Sequence, residues 1–117
     1  MYVTQTKKDY YLVRGKKSYE KHCANCHGQK GEGLQLLIPP LTDPEWMNSD
    51  SIVCIIRGGL DGPIKVNGQA YSGRMTGNLT IEEDEIADLV SYIRHEFIHQ
   101  PQQMTVKDVK NGNLKCR

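Results

Sequence analysis

The stretch HCANCHG, residues 22–28, decides how this chain is read: it sets two thiols three residues apart, Cys23 and Cys26, with an imidazole, His27, directly after the second. Three chemistries use such a trio. A structural zinc site normally needs a second ligand pair at its own spacing, yet Cys54 and Cys116 stand alone and no second Cys-x-x-Cys occurs. A dithiol redox pair belongs where a strand meets a helix in a βαβ pattern, and here the pair follows a helical pattern in a chain with little strand signal. The third chemistry is covalent haem attachment. Two thiols one helical turn apart can each add to a haem vinyl group, and the following imidazole is then placed to bind the iron.

Outward from the motif, the chain has 117 residues, enough for a single domain over 1–117 with a core at about 10–98 and a tail, 99–117, packed back on it. Fifteen Lys and Arg face 14 Asp and Glu, so no global field points to nucleic acid or to a strongly acidic partner. Aromatic residues make up 7% and glycines number 11, which leaves a thin core that a buried cofactor would help to fill. No run approaches the roughly 18 apolar residues of a spanning helix, and the first residues lack the apolar segment of a secretory signal.

Residues 9–23 read as a Lys-rich helix with Leu12, Gly15, Tyr19 and Cys23 near one face. Gly15 is odd there, because a helix-interior glycine costs about 1 kcal/mol against Ala unless close backbone approach requires it. Residues 28–46 turn through GQKGEG and a proline-bearing segment ending in TDPEW, where the prolines argue against regular structure. A short helix is expected over 50–57, capped by Ser49 or Asp50 and stopped by Gly58 and Gly59. Asn67-Gly68 between two short arms, residues 64–71, marks a type I′ hairpin. The strongest helix starts at Thr80, where Thr80 and Glu83 form a capping box ahead of an apolar stripe of Ile86, Leu89, Val90, Ile93 and Phe97. The polar tail is expected to hold one short turn near 106–110.

Together these residues resemble the class I, mono-haem cytochromes c of bacterial type, over roughly residues 12–97. Gly15, Tyr19 and Cys23 match that family's first helix, and Leu89 and Tyr92 match the positions it packs on, which explains a glycine at the crossing. Pro39, twelve residues after His27, matches the proline whose carbonyl accepts the second N–H of the axial histidine, and Leu41 matches a haem-contacting leucine. The resemblance implies an all-α cytochrome c fold: three principal helices, short loops and a small β-hairpin around one covalent haem c. It implies iron ligated by His27 and Met75, since Met75 lies in the glycine-bounded loop before the last helix where the family's axial methionine sits; Thr76 stands where many relatives carry proline. Methionine ligation favours the reduced iron and raises the potential.

Met47 and Met104 suit gap filling, His95 and His99 fall at a helix end, and His22 is expected to be a surface residue rather than a ligand. Trp46, Arg57 and Tyr71 are the polar-tipped groups expected near the haem propionates, beside the reading of a surface Arg and two packed aromatics. Cys54 and Cys116 are either two free thiols or a disulfide; the disulfide would tie back the tail and, for a loop of this length, contribute roughly 4 kcal/mol. Lys16, Lys17, Lys21 and Lys30 form either a docking patch or a solvated face.

The implied function is electron transport: one-electron transfer between redox protein partners such as an oxidase, reductase or dehydrogenase, by a carrier and not an enzyme, free-standing or part of a larger oxidoreductase. Rivals are a haem sensor or peroxidase-like protein with a labile sixth ligand, and a structural zinc module. Haem attachment and a disulfide both fit an exported, periplasmic location, with a signal or anchor segment removed.

Overall fold

The computed structural model describes residues 7–116. Among these, the elements in chain order are α1 (Lys7–His22), α2 (Ala24–His27), α3 (Pro44–Met47), α4 (Ser51–Gly58), β1 (Leu60–Asp61), β2 (Ile64–Val66), β3 (Gln69–Tyr71), β4 (Arg74–Met75), α5 (Glu83–Phe97) and α6 (Val106–Asn113).

The frame is the crossing of α1 on α5. The apolar stripe of α5 is buried as its spacing predicts, with Ile86, Leu89, Val90 and Ile93 all inside and Phe97 partly covered. Tyr19 from α1 is fully buried, its ring 5.8 Å from that of Tyr92 and 5.1 Å from that of Phe97. Gly15 sits where the two backbones meet. A Cβ there would stand 2.3 Å from the Asp88 carbonyl oxygen, so the glycine exists for approach, as its oddness in a helical pattern indicates. At the rim of the crossing, Arg14 Nε donates to Asp88 at 2.7 Å.

Four local expectations are corrected. The Thr80–Glu83 capping box does not form: the Thr80 N–H and hydroxyl both donate to Asn78 Oδ1, at 3.0 and 2.6 Å, and α5 starts at Glu83. TDPEW does contain regular structure, because Pro44 opens α3 at a position whose N–H needs no partner, and Asp43 accepts from the Glu45 N–H. Of the two caps expected at α4, the Asp50 side chain makes none, and Ser49 serves instead, its hydroxyl accepting from the Ser51 N–H at 3.1 Å. The tail carries a two-turn helix, α6, with a capping box of its own, in which Thr105 and Asp108 bond reciprocally.

The hairpin is present, β2 pairing antiparallel with β3 across Asn67 and Gly68, both at positive φ. A second ladder joins β1 to β4, with Leu60 opposite Met75. Helix α6 packs on α4 and α5, where Val109 is buried and Gly112 lets α6 close on Val53. Arg94 of α5 is buried and donates from Nε to the Met47 carbonyl at 2.9 Å, tying α3 to the frame. No helix among the described residues is long and apolar enough to cross a membrane.

Candidate cofactor-binding site

One apolar cleft draws its walls from α2, α3, α4, β1, β2, β4 and α5 and from the loop at 39–41. Cys23, His27, Pro39, Leu41, Trp46 and Met75 line it together, with aliphatic side chains from α4, β1, β2 and α5 completing the surface. These residues are spread over more than half the chain, so the fold, not local sequence, assembles the site.

Cys23 precedes α2, and its carbonyl accepts from the Cys26 and His27 N–H groups, which winds the motif into a single helical turn. His27 is 7% exposed, and its Nδ1 lies 3.0 Å from the Pro39 carbonyl oxygen. An imidazole nitrogen facing a carbonyl must carry the proton, so the lone pair is left on Nε2. Burial lowers the His27 pKa more than the Pro39 bond raises it, and the neutral form that binds metals is favoured. Pro39 is itself held in place: the Gly33 N–H reaches the His27 carbonyl at 2.7 Å, Leu34 bridges Ile38, and the Leu41 N–H reaches the Gly31 carbonyl at 2.7 Å.

Burial, helped by the neighbouring Cys26, pushes the Cys23 thiol up to about 12. A dithiol switch needs a stabilised thiolate, the opposite of this environment. Cys26 is exposed. Among the described residues no three His, Cys, Asp or Glu side chains converge on a point that would hold a metal ion.

Met75 lies half-buried in β4. With Thr76 after it, the segment is held by backbone ties: the β1–β4 ladder, the Asn78 N–H on the Ile56 carbonyl at 2.9 Å, and two glycines, Gly59 and Gly77, at which the α4 end and the Met75 loop touch without side chains. Met47 also lines the cleft, while Met104 is buried against α5 with its N–H on the Ser91 hydroxyl.

Of the three residues expected at the propionates, Trp46 alone reaches the cleft, and its indole N–H donates to the Lys65 carbonyl at 2.7 Å. Arg57 turns to the Leu79 carbonyl, and Tyr71 is buried in β3 opposite Ile64. His95 pairs with Glu96, His99 is exposed, and neither lines the cleft. His22 is no free surface group, in correction of its expected place: its side chain is 15% exposed and bonded to Glu85. The sulfurs of Cys54 and Cys116 meet, their Cα atoms 5.4 Å apart, joining the C-terminal end of the tail to α4.

The donor set, a neutral imidazole and a thioether on one apolar surface with a thiol at its edge, fits a haem attached through the cysteines and ligated by His27 and Met75. The cytochrome c family model matches residues 12–96. Two relatives from Thermus thermophilus, both called cytochrome c-552, are 31% identical over 85 residues. The match covers 68% of this chain but 64% and 57% of the relatives, so less than two thirds of either relative's length is represented.

Proposed function

The chain belongs to the cytochrome c family, and on that premise we propose that it is a one-electron carrier with one covalent haem c, held by thioethers at Cys23 and Cys26 and by iron ligands His27 and Met75. Cytochrome c proteins work by haem-based electron transfer. The observation that carries the finer reading is the convergence of Cys23, His27 and Met75 on one apolar cleft, with His27 Nδ1 engaged by Pro39. When bound there, the haem supplies a one-electron couple at its iron.

The chain's own residues do the rest. Pro39 fixes the tautomer and ring orientation of His27. Leu41, Trp46 and the aliphatic wall exclude water, which keeps the surroundings of the iron apolar. Met75 would hold the iron opposite His27 when haem is bound, and a site filled from both sides would serve a carrier rather than an enzyme. Exposed Lys16, Lys17, Lys21 and Lys30 beside the attachment motif suit an acidic face on a redox protein partner. The Cys54–Cys116 disulfide and haem attachment both support an exported, periplasmic setting.

The test is a visible spectrum, pyridine haemochrome assay and iron quantification on protein made with haem-attachment machinery. One haem per chain and a ferric methionine-to-iron charge-transfer band that Met75→Ala abolishes are expected. Protein without haem sinks the reading, and a band that survives Met75→Ala moves the sixth ligand elsewhere.

A further inference from the structure

His22, one residue before the first thioether cysteine, is built into a polar network that touches the Met75 loop. Its Nε2 lies 2.9 Å from Glu85 Oε2, which also accepts the Ser18 hydroxyl at 2.9 Å. Its Nδ1 lies 3.4 Å from Asn78 Nδ2. The orientation of the Asn78 amide is determined, because Oδ1 accepts the backbone N–H and the hydroxyl of Thr80, leaving the NH2 group to face His22. Asn78 is three residues past Met75, and its own N–H holds the α4 end through Ile56.

This arrangement is consistent with one protonation state. Nε2 donates to the Glu85 carboxylate, and Nδ1 accepts from the Asn78 amide, as only a neutral ring can do. A protonated ring would set an N–H against an N–H at Asn78. Among the described residues, Glu85 from α5 and Asn78 from the loop are the groups within hydrogen-bonding reach of the ring, and Glu85 is the only charged one.

We propose that His22 and Asn78 are positioning residues for Met75: the neutral His22 ring clamps the Met75 loop to the end of α1, the helix that leads into the haem-attachment cysteines. The clamp rests on the reading of Met75 as the sixth ligand. It raises the effective hold of Met75 on the iron without touching either.

The experiment uses the haem-loaded protein with imidazole as a competitor for the methionine position on ferric iron. His22→Phe, which keeps a ring but removes both bonds, and Asn78→Ala should bind imidazole about three- to tenfold more tightly than the wild type, the change that loss of one hydrogen bond produces. His22→Gln, whose amide can donate to Glu85 and accept from Asn78, should restore wild-type affinity near neutral pH. Unchanged imidazole affinity in both His22→Phe and Asn78→Ala, in protein whose band is lost with Met75→Ala, overturns the clamp and leaves the ligand assignment standing. A band that persists in Met75→Ala overturns the assignment and the clamp with it.

Discussion

Gly15 and Tyr92 are in backbone-limited contact: a Cβ on Gly15 would stand 2.5 Å from the Cβ of Tyr92. With the Asp88 carbonyl oxygen nearer still, no rotamer change relieves the overlap, and α1 would have to move off α5. Tyr19 and the attachment motif follow on α1, so the crossing positions the cysteines as well as the core.

Gly15→Ala should therefore destabilise the haem-loaded protein, although alanine is the better helix former. Overpacking of about 1–3 kcal/mol outweighs the propensity gain of about 1 kcal/mol. Gly15→Val should cost more. Urea unfolding followed by circular dichroism reads both, and a rise in midpoint for Gly15→Ala would show that the crossing has slack.

The Cys54–Cys116 link closes a loop with a sequence separation of 62 and retains α6 on α4. Cys116→Ser should lower unfolding free energy by up to about 4 kcal/mol in the chain-entropy model. Reductant should destabilise the wild type and leave Cys116→Ser unchanged. If two thiols alkylate in the unreduced, unfolded haem-loaded wild type, in which Cys23 and Cys26 are thioethers, the link is absent.

The Asp108 carboxylate is held below its ordinary 3.8, first by the Thr105 N–H and then by the Thr105 hydroxyl. A depressed carboxylate contributes stability that is fully present above its unfolded value and is lost as pH falls through the lower folded value. Asp108→Ala should thus be less stable than the wild type by about 0.5–1 kcal/mol at neutral pH, the low end for an exposed cap. The gap should close as pH falls below about 3.8. Denaturation series at several pH values check this, and a gap independent of pH would place the effect outside the cap.

Chain made without haem, as in Cys23→Ala with Cys26→Ala, should lose its cooperative unfolding transition and near-ultraviolet dichroism. The cleft is walled by aliphatic side chains of α4, β1, β2 and α5, and each gains about 1.5–3 kcal/mol only when covered. A sharp thermal transition in the haem-free chain would mean that the protein core suffices.

Much of the frame was legible because its signals are periodic or short in range. The stripe from Ile86 to Phe97 repeats at helical spacing, Asn67-Gly68 names its turn, and the misplaced Gly15 announces a crossing. The Thr80 box failed because Asn78, two residues back, competes for the same hydroxyl and N–H. The Thr105 box was missed because Asp stands where Glu or Gln is the usual partner. Arg57 and Tyr71 were placed by chemical type alone, and their actual neighbours, Leu79 and Ile64, follow from chain path.

The sequence by itself determined that Cys23, Cys26 and His27 stand together, since they lie within five residues and one helical turn fixes their relation. It also determined the helix crossing, because only glycine permits that approach. Tertiary structure alone decided which residues share the cleft, what holds Met75 without a following proline, and that His22 faces Glu85 and Asn78. Those relations join residues tens of positions apart, and hydrogen bonds of that range leave no period in the chain that makes them.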